Sequence, residues 1–86
     1  MLEKTDKNII ENKIINILSD KLSINLNDIK KSSSLVNDLG IDSFGGVQLL
    51  FAIKEEFELE IPFEDFKKIN NVSDITEYVL EKVEKV

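Results

Sequence analysis

The chain is 86 residues long, 42% hydrophobic and 33% charged, which suits one small globular domain over residues 1–86 and is too apolar for disorder. It has no Cys, no His and no Arg. That removes disulfides, thiolate nucleophiles, Cys-ligated metals, histidine bases, every Ser-His triad and bidentate guanidinium recognition of phosphate or guanine, so a self-contained enzyme is not expected.

The formal net charge is −6 and is unevenly placed: residues 1–36 carry six Lys against five acids, residues 37–86 five Lys against twelve acids. An acidic C-terminal half repels nucleic acid and anionic lipid and favours a basic protein partner, although charge bias alone also describes an ordinary solvated surface. Residues 1–6 contain no apolar h-region, so no signal peptide is expected. The longest apolar run, residues 49–53, is too short to span a bilayer, and a soluble cytoplasmic monomer is the expectation.

The first predicted helix covers residues 5–22. Ile10, Ile14, Ile17, Leu18 and Leu22 recur at three- and four-residue spacing on one face, with Thr5 or Asp6 as the cap. Residues 23–42 are rich in Asn, Ser and Gly and read as a long loop with a short turn near 27–31. Ile24, Leu26, Ile29, Leu35, Leu39 and Ile41 are expected to pin this loop to the core, which makes it ordered.

A second helix is predicted over residues 43–58, with Ser43 as N-cap and Asp42 adding negative charge at the positive end of the helix dipole. Its apolar residues, Val47, Leu49, Leu50, Phe51, Ile53 and Phe57, form a surface wider than one stripe, so part of it is available to a partner. Leu50 and Phe57 are assigned to the core. Pro62 starts a short helical segment over 63–69, which Asn70 and Asn71 break. Ser73 is the predicted cap of a last helix striped by Ile75, Val79 and Val83, flanked by Tyr78 and Leu80. The expected fold class is all-α, a four-helix bundle of three long helices and one short one, with a long ordered loop between the first two.

The stretch with chemical content is Asp38-Leu39-Gly40-Ile41-Asp42-Ser43-Phe44. It delivers a serine on a long loop to the start of a helix, where free N–H groups and the dipole favour an attached anion. On these seven residues alone, a simple helix cap remains an equally physical account. The wider pattern resembles the phosphopantetheine attachment region of acyl and peptidyl carrier proteins. The resemblance runs from about Leu18 to the end and includes Ser32-Ser33-Ser34-Leu35, Asp38-Leu39-Gly40, Glu55-Glu56-Phe57, Ile61-Pro62 and Asn71-Val72-Ser73-Asp74.

The resemblance implies a carrier without catalysis of its own. A phosphopantetheinyl transferase would move 4′-phosphopantetheine from coenzyme A onto Ser43, and the arm's thiol would carry acyl or aminoacyl groups as thioesters. Those groups would pass between ligases, acyltransferases and synthases in fatty acid, polyketide or nonribosomal peptide biosynthesis. Asp42 would assist at the attachment site, and Phe44, Val47, Phe51 and Glu55 would dock partner enzymes. Val47 suits the core as well as a docking role.

Phe44, Gly45, Gly46 and Gln48 depart from the fatty-acid carriers, which commonly have Leu after the serine and an acid at the position of Gln48. The string Asp42-Ser43-Phe44-Gly45 with Val47-Gln48-Leu49-Leu50 is similar to D-alanyl carrier proteins, yet the Trp-containing segment of that group is absent. A D-alanyl or peptidyl carrier loaded by an adenylation enzyme is therefore the alternative cargo reading. Bare backbone at Gly45 and Gly46 is expected to admit a partner surface or the arm itself. A competing class is a helical adaptor with no prosthetic group. A calcium loop is disfavoured, because Asp38 and Asp42 lack the alternating oxygen ligands of an EF-hand.

Overall fold

The computed structural model describes residues 6–84. Four α-helices form among them: α1 (Lys7–Leu22), α2 (Ser43–Phe57), α3 (Phe63–Phe66) and α4 (Val72–Glu84). α1 packs on both α2 and α4. Its three- and four-residue spacing buries Ile10, Ile14, Ile17 and Leu18, with Leu22 at the margin. Asp6 caps it, its carboxylate accepting from the N–H groups of Asn8 (2.9 Å) and Ile9 (3.4 Å), while Thr5 lies outside the described residues. Leu49, Ala52 and Ile53 of α2 complete the core with Val72, Ile75 and Val79 of α4. Leu50 and Phe57 pack partly buried against it.

The cap of α4 differs from expectation. The helix starts one residue before Ser73, and Asn71 caps it by accepting from the Asp74 N–H at 2.8 Å. The Asp74 carboxylate returns the favour, accepting from the N–H groups of Asn70 (3.0 Å) and Asn71 (3.3 Å). This reciprocal box needs an acceptor side chain three residues after the cap, which Asn71 has in Asp74, whereas Ser73 has Thr76 there, its hydroxyl donating to the Val72 carbonyl. α3 is also shorter than the predicted 63–69, ending after one turn. It is tied to α4 by the Tyr78 hydroxyl, which donates to the Asp65 carboxylate at 2.6 Å.

The loop between α1 and α2 is ordered and carries a 3₁₀ turn at Leu26–Asp28, slightly ahead of the turn expected near 27–31. Ile29, Leu35 and Ile41 are buried and Ile24 and Leu39 half-buried, as anchors should be. Leu26 is not an anchor. It is 51% exposed, because Ile24 and Ile29 take the inward positions on either side of the turn. The loop is stapled to the start of α4 through an isolated antiparallel bridge between Ser34 and Asn71. The Leu35 N–H donates to the Asn70 carbonyl (2.9 Å), the Val72 N–H to Ser33 (3.2 Å) and the Ser73 N–H to Lys31 (2.9 Å). Ser33 is buried and satisfied, its hydroxyl accepting from the Lys30 N–H at 2.9 Å.

Candidate functional site

The lead-in to Ser43 is fixed by its own polar residues. The Asp38 carboxylate accepts from the Ser34 N–H at 2.7 Å, and the Ser34 hydroxyl accepts from the Asn37 N–H at 3.1 Å. The N–H groups of Asp38 and Leu39 both donate to the Ser34 carbonyl, each at 3.0 Å. Gly40 then turns the chain with φ +67°, a region that strains residues with a Cβ. Ile41 closes the turn, its N–H donating to the Leu35 carbonyl at 2.9 Å and its side chain entering the core.

At the head of α2 the structure reassigns the cap. Ser43 is not the N-cap; Asp42 is, in an extended conformation with φ −93° and ψ −170°. Its Oδ1 accepts from the Gly45 N–H at 2.8 Å and its carbonyl from the Gly46 N–H at 2.8 Å. A cap oxygen reaches the N–H three residues on, and a carboxylate adds favourable charge against the helix dipole, so Asp42 is suited to the position. Ser43 becomes the first helical residue. It is exposed, and no described residue hydrogen-bonds to its hydroxyl. Nor do the N–H groups of Ser43 and Phe44 have a partner among the described residues, which leaves two first-turn donors unpaired at this serine and its neighbour.

The two glycines that follow are buried, which corrects the expectation that they leave bare backbone open to a partner. A Cβ at Gly45 would lie 3.3 Å from Ile41 Cγ2 and 3.4 Å from Asp42 Oδ1. A Cβ at Gly46 would lie 2.9 Å from Cε2 of Phe66. Both serve close internal packing: Gly45 admits the capping turn, and Gly46 admits an aromatic ring from α3.

The outer face of α2 is open. Phe44 is 71% exposed, Val47 43% and Phe51 66%, and Glu55 continues the same side as an exposed acid. Val47 thus falls on the surface rather than in the core. Beside this face runs a groove of about 390 Å³ walled by Leu35, Val36, Ile41, Phe63, Phe66 and Ile69. Asp42, Ser43, Gly46 and Lys67 complete its lining, so Ser43 adjoins an apolar trough. The Lys67 ammonium sits 5.9 Å from the centre of the Phe63 ring. Phe63, Phe66 and Lys67 were not singled out as site residues from sequence. A single helical turn is too short for its periodicity to show which side chains face α2.

Residues 12–79 match the family model described as the phosphopantetheine attachment site. The acyl carrier protein of Clostridium perfringens strain 13 is 44% identical over 73 residues, spanning 85% of this chain and 96% of the relative. The acyl carrier protein of Clostridium acetobutylicum ATCC 824 is 40% identical over 67 residues, spanning 78% of this chain and 87% of the relative.

Proposed function

The chain belongs to the phosphopantetheine-binding acyl carrier protein family, and from that premise we propose that Ser43 is its attachment residue and that residues 1–86 work as one carrier unit for acyl or aminoacyl groups. The family's prosthetic group is covalent 4′-phosphopantetheine, which supplies the thiol on which cargo is held as a thioester. The residues present fit that group. A serine hydroxyl free of internal hydrogen bonds, first-turn N–H donors without partners, and an adjoining apolar groove suit an anionic linker followed by a less polar chain.

The single observation carrying the reading is the division of labour at the head of α2. Asp42 satisfies the Gly45 N–H, so Ser43 is not needed as a cap and its hydroxyl is left as an acceptor of the arm. In the attachment step the Ser43 oxygen forms a bond to the phosphorus nearest the pantetheine of coenzyme A. The pyrophosphate bond there breaks, the nucleotide half leaves, and the serine proton passes to the transferase or solvent. On this reading no residue of the chain is needed as base: the protein is a substrate and then a partner of other enzymes, with Phe44, Val47, Phe51 and Glu55 as their docking face.

The test is intact mass after incubation with coenzyme A, magnesium and a broad-specificity phosphopantetheinyl transferase. One phosphopantetheine added to the wild-type chain and none to Ser43→Ala is the expected result. A folded wild-type chain that gains no mass would sink the reading and favour an adaptor with no prosthetic group.

A further inference from the structure

The groove beside Ser43 has a closed floor. Phe66 is half-buried and packs against the core, and its ring lies so close to α2 that a Cβ on Gly46 would meet Cε2 at 2.9 Å and Cζ at 3.5 Å. The ring can take this seat only because residue 46 has no side chain. In the core against which it packs, Leu49 and Ile53 of α2 and Ile75 and Val79 of α4 are fully buried. The ring's own helix is also restrained, since Asp65, the residue before it, accepts a 2.6 Å hydrogen bond from Tyr78 of α4. The groove left above the ring, about 390 Å³ in volume, is at the low end of the roughly 300–1,000 Å³ typical of small-ligand sites.

We propose that Phe66, seated on Gly46, sets the size of the cargo: it bars the interior of the bundle to a group tethered at Ser43, so this carrier holds short acyl or aminoacyl groups in the open groove and excludes long alkyl tails. The proposal rests on the carrier reading and deepens it by naming the cargo class. A long tail finds no enclosed apolar space beyond the groove, and the exposed residues of α2 cover it on one side only, so its further methylenes gain little from burial.

The test loads the wild-type chain, Phe66→Ala and Phe66→Leu enzymatically from acetyl-, butyryl-, octanoyl- and dodecanoyl-coenzyme A. Loading is verified by intact mass and the Tm of each form is read by circular dichroism. In the wild type, Tm is expected to rise from acetyl to butyryl and then level off. In Phe66→Ala, which starts about 10 °C lower, Tm is expected to go on rising through octanoyl by about 5 °C or more, with Phe66→Leu intermediate. A wild-type Tm that climbs steadily through dodecanoyl would overturn the proposal, and the wild-type series decides this even if Phe66→Ala does not fold. So would Phe66 variants that level off at the same chain length as the wild type. Absence of added mass on the wild-type chain overturns the carrier reading and this proposal with it, and the mass spectrum separates that outcome from the others.

Discussion

Replacing Asp42 by Ala removes the acceptor of the Gly45 N–H and is expected to cost about 1 kcal/mol, a fall in Tm of about 4–8 °C. Ser43→Ala removes a hydroxyl with no internal partner and is expected to stay within about 0.5 kcal/mol of the wild type while losing all modification, a contrast that thermal unfolding and intact mass read together. Gly46→Ala reverses a familiar sign. In an ordinary helix interior the change gains about 1 kcal/mol, but here the new methyl must displace the Phe66 ring, and overpacking of about 1–3 kcal/mol outweighs the gain. A net loss near 1 kcal/mol is expected by thermal denaturation, smaller when Phe66→Ala is also present. At this scale Ser43 was legible in the sequence as a residue at the head of a helix, because a run of turn formers gives way there to an apolar period. Its non-capping role was not: Asp and Ser are equally good caps, and two adjacent candidates differ only in the geometry of the Ile41–Asp42 bend.

The one-turn helix α3 owes its position to partners outside it, the Gly46 backbone on one side and Tyr78 on the other. Burial first, and then the hydrogen bond to Asp65 and the charges of Asp65 and Glu81, push the Tyr78 hydroxyl from its ordinary 10.0 up to about 12. A pKa raised on folding means that the native state keeps the proton longer than the unfolded chain. The tether's contribution is therefore whole below pH 10.0 and is lost as pH rises through about 12. Urea unfolding between those values is expected to show a steeper loss of stability in the wild type than in Tyr78→Phe, which also starts less stable at neutral pH by about 1 kcal/mol. The long helices were readable from their period, since α1 and α4 repeat their apolar residues over three or more turns. One turn has no period to read, so the extent of α3 and the inward face of Phe66 emerge only from packing. The loop's order was legible through its apolar anchors, but the Ser34–Asn71 bridge pairs residues far apart in sequence with no pattern to announce it.

Over the whole molecule, α1 is the shared wall, paired to α4 by Lys7–Glu77 at 2.6 Å and to α2 by Lys13–Glu56 at 2.7 Å. Glu56 is thus engaged within the fold, whereas Phe44, Phe51 and Glu55 are exposed and no described residue pairs with Glu55. Phe51→Ala is expected to leave Tm within a few degrees, because the side chain is 66% exposed, and to raise the KM of the transferase or a loading ligase for the carrier several-fold. Unchanged steady-state kinetics would remove the outer face of α2 from docking. The same assembly has a temporal side. The loop that presents Ser43 is held by the backbone of Asn70, Asn71, Val72 and Ser73, all of which lie later in the chain. Ser43 therefore leaves the ribosome before the residues that position it, and the loop cannot take its final shape until the start of α4 has followed. On the proposed reading, Ser43 becomes a well-formed substrate only after residues 70–73 have been made, so the fold itself orders the synthesis of that segment ahead of modification.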